Sequence, residues 1–298
     1  MNDPVHALSF RTADGLTLRG ERWGAGGCPA VFTQANGLPV QCYRAACGEV
    51  AALAEVHALN SRGNGGSDVP AALPDWDLPL ADLRGYIERT FGEPVLLIGH
   101  SFGAILSLRL AAEAPHLVRG LLLLEPVILA GRGEDWAALR KLHGQAMIDA
   151  ALRRRDRWPS RKEAEERLRG RGIYAGWAEP ALRAFLEHGL LPEGAGVKLA
   201  CPPWLEAATY GTHPGTKMFA WAERMRLPAV LFRGASSDAV HPGAMAEMAS
   251  LMGAEVAVMP GGHTFPMEHP RETARTLAGA LRRVLAAQTR GGSAATGA

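Results

Sequence analysis

Apolar and polar positions change rhythm several times along the chain, and each change predicts an element. Residues 5–24 (VHALSFRTADGLTLRGERWG) alternate around Asp14-Gly15, the pattern of a β-hairpin. The short apolar run PAVFTQANG ends in Asn36-Gly37 and predicts a buried strand entering a turn. QCYRAACGEVAALAE reads as a helix, and VHALNSRGNGGSD as a strand that breaks into a glycine-rich loop. Leu80, Leu83, Ile87 and Phe91 recur at helical spacing. PVLLIGH predicts a strand, FGAILSLRLAAEAP a helix and GLLLLEP another strand. Further on come strand PAVLFRG, helix PGAMAEMASLMG, strand EVAVMPG and helix TARTLAGALRRVLAA.

These strands are continuously apolar, and helices separate them. That combination predicts an α/β fold, with a mostly parallel central sheet covered by helices on both faces. Residues 127–226 break the rhythm. They are rich in Arg, Glu, Ala and Leu and read as helices joined by Gly/Pro turns, with no buried strand. The expected organisation is a core of residues 1–126 and 227–288, a helical cap over 127–226 and a disordered tail over 289–298. No internal repeat is present.

Composition narrows the function classes. The 298 residues carry a net charge of +2, which gives no electrostatic case for nucleic acid or an anionic membrane. The basic run at residues 153–157 (RRRDR) is expected to be a solvated helix face. Four cysteines (Cys28, Cys42, Cys47 and Cys201) form no C-x-x-C pair, which argues against a zinc or redox site and suggests free thiols in a reducing cytoplasm. The N-terminus lacks a signal-peptide pattern, and no apolar stretch reaches the ~18 residues of a membrane span.

Candidate chemistry centres on LLIGHSFGAI, residues 97–106. Glycines two before and two after Ser101 suit a strand that turns directly into a helix, where flanking side chains would collide. G-x-S-x-G between an apolar strand and a helix is a nucleophile elbow: it lifts the serine hydroxyl clear of the sheet and starts the helix at Phe102. His100 neighbours the serine on the turn and points away from it, which suits a structural role.

A serine hydroxyl needs a base. His263 follows the last strand in PGGHTFPMEHP, at the carboxyl end of the sheet, with glycines that let its loop reach over. His241 and His269 are weaker candidates. The imidazole in turn needs an acceptor on its far nitrogen. Asp238, in the loop ASSDAVHP before the last strand, is the favoured acid; Glu125, which ends LLLLEP, is the alternative. Donors for a developing oxyanion would be the N–H groups of Phe102 and Leu38, with Gly37 permitting the sharp bend of QANGLP.

The landmarks NGLP (36–39), SRGNGGSD (61–68), GHSFG (99–103), GASSD (234–238) and GGHTFPMEHP (261–270) together resemble the α/β-hydrolase superfamily over nearly the whole chain. The resemblance implies Ser101 as nucleophile, His263 as base, Asp238 as acid and an oxyanion hole from Leu38 and Phe102. It also implies a helical cap inserted after the sixth strand. Two positions depart from the family pattern: Asn36 stands where His is usual, and Asn60 where the glycine-rich loop usually begins with Asp. Asn36 and Gly37 are therefore candidates for substrate contact. Members with Asp in the elbow are epoxide hydrolases or dehalogenases, and Ser101 argues against both.

The expectation is a cytoplasmic serine hydrolase that cleaves a small to medium carboxylic ester through an acyl-enzyme, with no cofactor and no metal. C–C bond, lactone or amide hydrolysis and cofactor-free perhydrolysis use the same parts, and a ligand-binding receptor on this fold is the reading from another class. A small ester-like molecule is the expected partner, and a homodimer stays open. Trp136, Trp158, Trp177, Trp204, Tyr210 and Phe219 are candidates to line an apolar, roofed pocket.

Overall fold

The computed structural model describes residues 5–128, 131–133, 138 and 144–294, with side chains through residue 287. The hairpin forms as its alternation requires: β1 (His6–Arg11) pairs antiparallel with β2 (Thr17–Trp23). The apolar runs become β3 (Pro29–Thr33), β4 (Glu55–Leu59), β5 (Val95–His100) and β6 (Val118–Leu124). Between β3 and β4 the sequence predicts one helix. The structure has a short 3₁₀ turn (Val40–Tyr43) and then α1 (Gly48–Ala51). Gly48 is a weak helix former, and the fully buried Tyr43 fixes the first turn against the core. Helix α2 (Asp77–Thr90) precedes β5, and α3 (Phe102–Glu113) follows it.

The segment after β6 holds α4 (Gln145–Leu152), β7 (Arg157–Trp158), α5 (Arg161–Leu168) and α6 (Glu179–His188). It continues through β8 (Leu190–Glu193), β9 (Gly196–Leu199), α7 (Pro203–Gly211) and α8 (Lys217–Arg224). Three of these elements form an antiparallel sheet ordered β7-β9-β8, so the segment is not wholly helical as its composition suggested. Strands this short carry too few apolar positions to show a period. The basic run does not form one helix face either. It follows the end of α4 through a turn and a bend to the first residue of β7, and Arg154 within it turns inward.

The main pattern resumes with β10 (Ala229–Gly234), α9 (Pro242–Met252) and β11 (Glu255–Met259), then the short α10 (Phe265–Glu268) and α11 (Pro270–Ala294). Helix α11 runs to Ala294, into the stretch expected to be a disordered tail. The eight strands lie in the order β1-β2-β4-β3-β5-β6-β10-β11, parallel from β4 onward.

Successive residues of a strand face opposite sides, so continuously apolar strands feed two cores. Leu96, Ile98, Leu122 and Leu124 share one core with Leu277, Leu281 and Val284 of α11. Val95, Leu97, Leu121 and Leu123 share the other with Ile87, Ile105 and Met248 from α2, α3 and α9. Each such side chain contributes about 1.5–3 kcal/mol by burial, and the sum makes the carboxyl edge of the sheet a rigid platform. Among the described residues no helix is long and apolar enough to cross a membrane.

Candidate active site

Ser101 sits at the tip between β5 and α3 with φ 56° and ψ −116°, a strained backbone for a non-glycine residue. Both neighbouring glycines are sterically required. A Cβ on Gly99 would lie 2.5 Å from Gly103 O, and one on Gly103 would lie 2.3 Å from Thr33 O. The turn is anchored by Ser101 N–H donating to Leu124 O of the adjacent strand at 2.9 Å.

His263 follows β11, in a loop bent at Gly261 with φ 96°. Its Nε2 lies 3.0 Å from Ser101 Oγ, and its Nδ1 lies 2.9 Å from Glu125 Oε2. Glu125 directly follows β6, with φ 47°, and is fully buried. A buried carboxylate needs donors, and three converge here: His263 Nδ1–H, Gly234 N–H on Oε1 at 2.5 Å, and the Ser237 hydroxyl on Oε2.

The favoured acid, Asp238, is thereby corrected as the partner of His263. Its carboxylate is exposed at the rim of the cavity, and it is Ser237, one residue earlier, that the β10 loop turns into the site. The sequence signal for Glu125 was an ionisable residue closing a run of four leucines that the sheet buries.

His100 is fully buried and lies apart from the serine hydroxyl, as its place on the turn implies. Its Nδ1 faces Tyr43 Oη at 2.6 Å, and its Nε2 lies 2.9 Å from the backbone O of His263. Tyr43 Oη also accepts Ala35 N–H at 3.1 Å. A neutral imidazole fits this chain, accepting from the tyrosine and donating to the carbonyl. Burial, with a smaller effect of nearby His263, holds the His100 pKa well below the ordinary value. Tyr43 thus ties the turn after β3 to His100, which in turn bonds the His263 loop, a role that periodicity alone does not reveal.

Residues 20–276 match the family described as the alpha/beta hydrolase family. The chain belongs to that family. A curated relative, the lipase LipV of Mycobacterium tuberculosis, is 29% identical over 163 residues, which is 47% of this chain. The chain spans 58% of that relative's length. Solved structures of the same fold include an E-2-(acetamidomethylene)succinate hydrolase, with a TM-score of 0.77 and 23% identity over 93% of this chain and all of the other. The thioesterase domain from the curacin biosynthetic pathway superposes with a TM-score of 0.75 at 18% identity, covering 93% of this chain and 98% of that one. The peroxisomal alpha-beta-hydrolase Lpx1 of Saccharomyces cerevisiae gives 0.78 at 13% identity, covering 96% and 91%.

On this hydrolase scaffold a cavity of about 500 Å³ opens over Ser101 and His263. Its walls mix apolar residues such as Leu38, Phe102, Ile105 and Val127 with Asn36, Glu206 and Tyr210. Of the aromatic residues expected to line it, only Tyr210 does so among the described ones. Trp158, Trp177 and Phe219 are buried in packing, Trp204 is exposed, and Trp136 lies outside the described residues. Trp76, just ahead of α2, lines the cavity instead and donates its Nε1–H to Thr209 O at 3.1 Å.

The Phe102 N–H opens α3, where first-turn donors have no partner within the helix. Leu38 N–H closes a turn onto Ala35 O at 3.3 Å, with Gly37 at φ 76°. Asn36 lines the cavity, but its amide nitrogen donates to the backbone O of Glu206 in α7, at 3.0 Å. Gly37 lies under the Glu206 carboxylate rather than in the cavity wall. Asn60, the second departure from the family pattern, is buried, and its Oδ1 accepts Val40 N–H at 2.8 Å.

Proposed function

We propose that this hydrolase cleaves small to medium carboxylic esters through an acyl-enzyme. The reading rests on one observation: the hydrogen-bonded chain Ser101 Oγ to His263 Nε2 at 3.0 Å and His263 Nδ1 to Glu125 at 2.9 Å. Ser101 attacks the ester carbonyl while His263 takes its proton. Glu125 holds the imidazole in the productive tautomer and stabilises the imidazolium. The oxyanion is received by Phe102 N–H and by Leu38 N–H, which exchanges its long bond to Ala35 O for the charged oxygen. His263 protonates the leaving alcohol, and water attacks the acyl-enzyme by the same route in reverse.

The segment between β6 and β10 acts as a cap. Trp177 Nε1–H donates to Thr264 Oγ1 at 3.1 Å beside His263, and Asn36 bonds α7, so the cap grips the cavity from two sides. A cavity of about 500 Å³ with mainly apolar walls suits an acyl chain of short to medium length. The lipase similarity supports ester chemistry.

A series of p-nitrophenyl esters from acetate to decanoate tests the proposal. Wild type is expected to turn over the shorter members best, and Ser101→Ala to lose about 10³-fold or more. Folded wild type that hydrolyses no ester contradicts the reading. Turnover of only a lactone, amide or C–C substrate then transfers the same three residues to that reaction.

A further inference from the structure

Glu206, in α7, is the place where the segment above the cavity meets the turn that carries Leu38. Its backbone O accepts from Asn36 Nδ2 at 3.0 Å. Its carboxylate lies over Gly37: a Cβ placed there would be 3.5 Å from Glu206 Cδ and 3.6 Å from each carboxylate oxygen. Glu206 also lines the cavity that holds Ser101. A carboxylate held against Gly37 places negative charge beside the turn whose Leu38 N–H is proposed to receive the oxyanion. In a walled site such repulsion acts through a low effective dielectric and works against the donors of the oxyanion hole.

Arg154 answers that charge. Its Nη1 lies 2.7 Å from Glu206 Oε2, and its Nη2 bonds Tyr174 Oη. Both side chains are mostly shielded, Arg154 at 19% exposure and Glu206 at 10%, so water screens the pair little. Tyr210 Oη donates to Glu206 Oε1 at 3.3 Å and restrains the carboxylate, while the Asn36 contact fixes the Glu206 backbone.

We propose that Arg154 is a positioning residue of the reaction, neutralising the Glu206 carboxylate that lies against the Asn36–Leu38 turn so that this turn can receive the oxyanion. The inference rests on the ester-hydrolase reading. Arg154 touches neither substrate nor the reacting atoms and acts through the charge of Glu206.

The test compares steady-state kinetics on p-nitrophenyl butyrate for wild type, R154M, E206Q and R154M/E206Q. R154M is expected to lose about tenfold or more in kcat with KM within about threefold, because the uncompensated charge opposes the transition state more than substrate binding. R154M/E206Q is expected to regain most of that loss, although the bond to Tyr174 stays absent. A double variant no better than R154M means that Arg154 serves only to hold the segment together, and overturns the proposal. So does R154M with the kcat of wild type. Should R154M not fold, R154K and R154M/E206Q carry the test: the charge balance is kept in both, so each is expected to hold kcat within about threefold of wild type, and a loss of tenfold or more in either contradicts the proposal. Wild type without activity on any ester overturns the ester reading and this inference together; active wild type with an unaffected R154M overturns this inference alone.

Discussion

Glu125 Oε2 lies 2.9 Å from His263 Nδ1, although 138 residues separate the two in sequence. The carboxylate is buried and receives two further donors, whereas Asp238 stands exposed at the cavity rim. Glu125→Gln keeps the shape of the site but presents an amide nitrogen to the imidazole and disfavours the productive tautomer. It is expected to lower kcat by about 10³–10⁴-fold. Asp238→Asn is expected to cost less than about tenfold. The reverse ranking, measured on one ester with both variants folded, would return the acid role to Asp238.

The Tyr43 hydroxyl bridges Ala35 N–H and His100 Nδ1 inside the core. Tyr43→Phe leaves both groups buried without that partner, a loss of about 1–3 kcal/mol. Urea denaturation of the variant should show the midpoint lowered with an unchanged m-value. A midpoint equal to wild type would mean that the hydroxyl is not needed to satisfy either group.

His100 gives stability a pH dependence of definite sign. Its folded pKa is depressed by burial, so below the unfolded value of ~6.5 the unfolded chain takes up a proton that the native state refuses. The contribution is present above that pH and is lost as pH falls. The melting temperature should therefore decline between about pH 7 and pH 5, and His100→Asn should flatten the slope. His188 is depressed by burial in the same direction and accounts for part of what remains. A His100→Asn slope as steep as that of wild type would remove His100 from this role.

The elbow has no room for a methyl group at Gly103, where a Cβ would lie 2.3 Å from Thr33 O and 2.7 Å from Thr33 Oγ1. Because backbone must shift, Gly103→Ala is expected to destabilise by about 3 kcal/mol or more, or to abolish soluble folded protein. Thermal unfolding followed by circular dichroism reads this directly; a loss under about 1 kcal/mol would show that α3 can slide away from β3.

Much of the fold is legible in the sequence because two-sided burial leaves an unmistakable mark. Val95–His100 and Val118–Leu124 read as central strands, since both their faces are covered. Ser101 and His263 are legible for a different reason: glycines crowd around them where the backbone bends sharply. The carboxylate that partners His263 is not legible in the same way. Glu125 and Asp238 both follow strands, and the choice depends on how the β10 loop folds back, which turns Ser237 inward and Asp238 outward. Short strands such as Arg157–Trp158 gain their pairing from tertiary contacts rather than local pattern. Arg154 likewise looks like one member of a surface basic run until Glu206 is brought to it from 52 residues away.

The most direct test of the central claim is covalent labelling of Ser101 by a fluorophosphonate, read by intact mass and peptide mapping. One adduct on Ser101 in wild type, none in Ser101→Ala and strongly slowed labelling in His263→Ala is the predicted result. Folded wild type that stays unlabelled, or that is modified equally fast without His263, contradicts a serine activated by that imidazole.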